Sequence, residues 1–267
     1  MKNTLLPVLL LLLTFQAYGQ KHVKKFVQEN VIPVNSITPE STDFSDLKSI
    51  GDAIGDARIV MLGEQDHGDG ATFLAKTRLI KYLHQEKGFT VLAFESDFFA
   101  LNQGWDQVSK DERRVSKFLG ENIYHIWARC GQCADLLYSY IPGSQKMLSP
   151  LQVTGFDNQL GGGSFTREHI RDFLDHYLRG KNIAFVKSAD YGHFLSYTRY
   201  LGQSYDKVKR KTSEAFIQMA DSVLNQLGSA TTNDFGYLVL ESLRSEAMQR
   251  ANNGSSNFYV IASSIRD

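Results

Sequence analysis

The chain has 267 residues, 42% of them hydrophobic, enough to bury one large core or two small ones. Its 29 Lys and Arg balance its 29 Asp and Glu, so the formal net charge is zero. That excludes a protein that holds nucleic acid through an overall basic charge and leaves only local patches open.

Met1-Lys2-Asn3 is a weakly positive start, Leu5 to Leu13 is almost wholly apolar, and Ala17-Tyr18-Gly19 is a small-x-small site before Gln20. In this order the three features read as a secretory signal peptide over residues 1–19, and the apolar run is too short for a membrane span. The expected mature protein covers 20–267, is exported to the periplasm or beyond the cell, and has no stable membrane insertion after cleavage.

Residues 21–30 and Ser45 to Ile54 suggest short helices separated by a loop at Pro33 and Pro39. Arg58 to Leu62 then reads as a buried strand, followed by the loop Gly63-Glu64-Gln65-Asp66-His67-Gly68-Asp69-Gly70 and a helix over 71–86 that stops at Gly88. Phe89 to Phe94 reads as a second strand, closing with Glu95-Ser96-Asp97. Strand, helix and strand within about forty residues predict a βαβ unit with parallel strands and a right-handed crossover. Glu64 and Glu95 then sit just past one carboxyl edge of the sheet, where open α/β folds bind ligands.

A helical region follows from Phe98 to Ser109, and the charged run Lys110 to Arg114 reads as a solvated face. After the loop Pro142 to Pro150, Leu151 to Phe156 predicts a third strand, which brings Asp157 to the same edge if it too is parallel. Three clustered acids repel one another, which points away from a purely stabilising role; a helix cap remains the alternative for each. Gly161-Gly162-Gly163-Ser164 reads as a flexible loop before a helix over 166–178, since neither phosphate-binding glycine pattern is present. Ile183 to Val186 suggests a short strand, and helices are expected over 207–227 and 237–251. The chain then runs from Phe258 to Ile265. The expected fold is α/β: a parallel or mostly parallel sheet with a βαβ core flanked by helices, plus a helical C-terminal region.

The two cysteines, Cys130 and Cys133, are spaced C-x-x-C before a helix. In an exported chain they are open to disulfide formation; as a pair they are too few for a structural zinc site. Two small residues at a helix start is the plainer reading, with redox catalysis as its rival.

Gly63-Glu64-x-x-His67-Gly68, a basic Lys76 nine positions after the histidine, and a strand ending in Glu95 resemble the erythromycin esterase family. Ile126-Trp127 followed by Asp135-Leu136-Leu137, and Gly155-Phe156-Asp157-Asn158-Gln159, add to the resemblance, which covers residues 45–160 best. It implies a cofactor-free, metal-independent hydrolase acting on a small-molecule ester or lactone. His67 would be the general base on water, Glu64 and Glu95 would orient histidine and water, and Lys76 would position the acids or the oxyanion. Asp157 and Asp66 are the expected substrate-binding acids. Bottom-up chemistry agrees, because a histidine held by a carboxylate takes a proton near neutral pH.

Three departures stand out. Ala71 occupies the place of a frequent family glutamate, and Lys76 replaces a planar, bidentate arginine. The family's second essential histidine, in a W-A-H-N-type segment, has no counterpart here, and the expectation is a domain truncated at its C-terminus that holds only part of the active site, with activity in that form left open. Two further readings stay open: a divalent-metal hydrolase using Glu64, His67, Glu95 and Asp157, and a non-catalytic binding protein that keeps the cleft.

Overall fold

The computed structural model describes residues 21–64, 66–161, 163–203 and 208–252. The expected signal peptide, Gly162 of the glycine loop and the run from Phe258 to Ile265 lie outside the described residues. Two strands, β1 (Val91–Asp97) and β2 (Gln152–Asp157), form a parallel sheet. Val91 pairs with Gln152 and Phe94 with Gly155, and after an irregularity Asp97 pairs with Asp157. Gly155 is required at this crossing, since a Cβ there would stand 2.6 Å from the Asp97 carbonyl oxygen.

Six helices carry most of the rest: α1 (Lys48–Ile54), α2 (Gly70–Lys87), α3 (Glu112–Asn122), α4 (Ser164–Gly180), α5 (Arg210–Leu227) and α6 (Phe235–Ala251). Asp69 caps α2 by accepting from the Thr72 amide (3.3 Å), and Gly88 ends it in the left-handed conformation. Asp111 caps α3 in the same way, so the charged run that begins at Lys110 opens a helix.

The fold class holds: a parallel sheet with a helical crossover and a helical C-terminal region. Two strand expectations do not. Arg58 to Leu62 joins no ladder among the described residues. Val60 and Leu62 pack inward while Ile59 and Met61 stand 79% and 91% exposed, so the side chains alternate as in a strand but the backbone lacks a partner. The parallel pair is therefore 91–97 with 152–157, and the predicted pairing of 58–62 with 89–94 is absent among the described residues. Ile183 to Val186 is also not a strand; Ala184–Lys187 is a 3-10 turn whose Phe185 packs into the C-terminal core.

Apolar residues gather in two main cores. One lies under the sheet and joins Leu101, Trp105, Leu119, Ile123, Trp127 and Val153. The other joins α4, α5 and α6 through Ile170, Leu174, Phe216, Val223, Val239 and Leu243. Each fully buried aliphatic side chain stabilises by about 1.5–3 kcal/mol, so these cores fix where the strand ends lie. The N-terminal arm is tied on separately by Arg78 of α2. Its guanidinium donates to the carbonyls of Ser36 (2.7 Å) and Asp43 (2.5 Å) and pairs with Asp46 (2.5 Å).

Candidate active site

The loop before α2 places Glu64 and His67 one turn apart. The Glu64 carboxylate meets Nδ1 of His67, with the histidine side chain just over half exposed and Glu64 largely shielded. A carboxylate only accepts, so Nδ1 carries the proton and Nε2 is left as the basic nitrogen. The imidazole is also held from the side: the Trp127 ring lies edge-on to it, centroids 5.2 Å apart at 75°. Trp127 in turn packs on Phe73 of α2 at 4.9 Å.

Glu95 lies inside β1, on its solvent-facing side, and not past the strand end as the sequence suggested. Its carboxyl is held above the usual carboxylate range, first by partial burial and then by the like charges of Asp157 and Glu64. The charges of His67 and Lys76 work against that rise. Glu95 therefore feels all four of its expected companions, and the loop, the strand and α2 converge on one place. Lys76 reaches this place from α2, its ammonium 5.0 Å from the Phe73 ring centroid. Asp66 stands exposed on the loop.

Asp157 ends β2 and is buried. Burial raises its pKa, and the Gln159 amide (2.9 Å) and the Tyr124 hydroxyl oppose the rise. Its ladder partner Asp97 is fully buried and accepts from the amides of Ala100 (2.9 Å) and Gly161 (2.8 Å). Asp97 thus caps the segment after β1 and ties it to the glycine loop, while Asp157 faces the Tyr124 hydroxyl, which donates to the Gln159 carbonyl (2.6 Å). No group of three or more His, Cys, Asp or Glu side chains among the described residues is arranged to hold a metal ion.

Three neighbours escaped the reading of the sequence. Trp127 was visible as a motif residue, but its contact with His67 depends on the helical crossover between the strands. Tyr124 sits three residues before it with no local signal. Glu246 of α6 is 2% exposed, pairs with Arg250 (2.8 Å), and is close enough to Asp97 and Asp157 to feel their charge. Burial pushes its carboxyl up to about 7 despite Arg250.

No protein-family model matches the chain. It is 31% identical over 170 residues to a Bacillus subtilis (strain 168) protein named as a hydrolase, YbfO, and 28% identical over 162 residues to erythromycin esterase type II of Escherichia coli. These matches cover 60% and 57% of the chain, and the chain spans 36% of the length of each relative. A solved structure described as a succinoglycan biosynthesis protein shares its fold with a TM-score of 0.63 at 23% identity, over 87% of this chain and 57% of that one. An erythromycin esterase EreC mutant in its open conformation does so with a TM-score of 0.57 at 18% identity, over 84% and 57%. These likenesses make the chain similar to erythromycin esterase-like proteins.

Proposed function

We propose that the chain carries the catalytic loop of an ester or lactone hydrolase in which His67 is the general base. The observation that supports this most is the Glu64–His67 contact, which keeps the proton on Nδ1 and leaves Nε2 free to accept one. Water on Nε2 attacks the carbonyl carbon as its proton passes to His67. The tetrahedral intermediate then expels the alcohol oxygen, which takes that proton, giving acid and alcohol. Glu64 stabilises the imidazolium formed between the two steps. Lys76 offsets the acids around Glu95 and offers positive charge to the developing oxyanion. Glu95 orients the water, and Asp157 and Asp66 contact polar groups of the substrate.

The leader-like start from Met1 to Gly19 supports export, so the substrate is one met outside the cytoplasm. The names of the relatives support a hydrolase, and that of erythromycin esterase type II supports an ester as substrate. The test is a panel of activated aryl esters and lactones with the unmutated chain and His67→Asn. Turnover that disappears in the mutant supports the proposal. Turnover that survives it removes His67 as the base, and binding of a lactone without turnover favours the binding-protein reading.

A further inference from the structure

The C-x-x-C pair occupies a place that the proposed hydrolysis does not use. Cys130 precedes the 3-10 turn Gly131–Cys133, and the Cys133 amide donates to the Cys130 carbonyl at 3.1 Å. That hydrogen bond closes a four-residue turn, which holds the two Cα atoms within about 7 Å, and disulfides span about 4.4–6.8 Å. Within the same turn the Cys130 thiol donates to the Gln132 side-chain Oε1 at 3.6 Å. The surroundings of the two cysteines differ: Cys130 is partly exposed and Cys133 is buried.

The turn also touches the candidate site. Gln132 packs under the first residue of α2, where a Cβ on Gly70 would meet its side chain at 2.8 Å. The Cys133 sulfur feels the charges of Lys76 and Glu64, although burial dominates and pushes the thiol up to about 12. A buried, protonated thiol does not start an exchange, so the accessible sulfur does.

We propose that Cys130 and Cys133 are a redox-modification site at the base of the candidate active site, closed to an intramolecular disulfide by small-molecule disulfides of the glutathione class. The Cys130 thiolate attacks one sulfur of the oxidant, forming a mixed disulfide and releasing a thiolate that takes up the Cys130 proton. Cys133 then attacks the Cys130 sulfur, the mixed bond breaks, and the second thiol leaves with the Cys133 proton. Two protein thiols are oxidised and one small disulfide is reduced to two thiols. Closure fixes the turn on which Gln132 stands and so stiffens the seat of Gly70 beneath the His67 loop.

The test uses the full chain with oxidised glutathione, followed by alkylation in denaturant and intact-mass measurement. The expected product is two hydrogens lighter than the reduced chain and takes up no alkyl groups. Cys133→Ser is expected to hold one glutathione on Cys130, and Cys130→Ser to take up at least tenfold less. Native-state alkylation of the unmutated chain, mapped by peptide mass, gives an independent reading if a mutant misfolds, with Cys130 expected to react first. Two alkylatable thiols persisting after oxidant, mixed adducts that never close, or equal reactivity of the two cysteines would overturn the proposal.

Discussion

Glu64 and His67 meet through a carboxylate oxygen and Nδ1, three residues apart in a loop that ends at the Asp69 cap of α2. The short spacing makes the contact local: the loop supplies both partners, and α2 supplies the rigid end on which they stand. The same local spacing explains why this part of the site is legible in the sequence.

Trp127 is expected to matter through its ring. Trp127→Ala removes the edge contact with His67 and the packing on Phe73, and opens a cavity in the core under the sheet. Such a truncation costs about 3–5 kcal/mol, whereas Trp127→Phe keeps an aromatic edge and loses far less. Urea denaturation of the two variants checks this; equal stabilities would contradict it.

Glu246 makes stability depend on pH. Its folded carboxyl titrates at about 7 against an ordinary value of 4.5, so between those values the folded chain holds a proton the unfolded chain has lost. Stability from this group is full below pH 4.5 and is lost as pH rises through 7. Glu246→Gln keeps an acceptor for Arg250 and is expected to flatten the fall in urea midpoint between pH 5 and pH 8. Asp97 and Asp157, also raised, leave a residual slope of the same sign. An unchanged slope in the mutant would contradict the assignment.

Arg78→Ala strands Asp46, whose side chain is 4% exposed. Breaking a buried pair by removing one partner costs about 3–5 kcal/mol. The Arg78 hydrogen bonds hold the Asp46 carboxyl down at about 2, so its stabilisation is present above pH 3.8 and lost as pH falls toward 2. Limited proteolysis at neutral pH is expected to cut the mutant between residues 31 and 47 much faster than the unmutated chain. Equal cutting rates would show that the arm is held by other contacts.

The strands over 89–94 and 151–156 are legible because Gly88 and Pro150 precede short β-prone runs, Phe89-Thr90-Val91-Leu92-Ala93-Phe94 and Leu151-Gln152-Val153-Thr154-Gly155-Phe156. Arg58 to Leu62 carries the same signal, yet a strand also needs a backbone neighbour, and side-chain pattern alone does not supply one. Ile183 to Val186 is too short for its composition to outweigh packing against α5. Glu246 and Arg250 stand four residues apart within the helix expected over 237–251, and nothing in that spacing marks them as buried; the packing of α6 on α4 and α5 does that. The convergence of Glu64, His67, Lys76 and Glu95 followed from motif order, while Trp127 and Tyr124 entered through the long crossover, where sequence separation hides contact.

The central claim is that Glu64 and His67 act as one unit on water, and a double-mutant cycle tests it most directly. On the aryl ester turned over fastest, His67→Asn is expected to lower kcat/KM by about 10²–10⁴-fold, the range for a general base, and Glu64→Gln by a smaller factor. Groups that act as a unit are not additive, so the double mutant is expected to be no slower than His67→Asn alone. Losses that multiply in the double mutant, or a Glu64→Gln chain as fast as the unmutated one, would contradict the account.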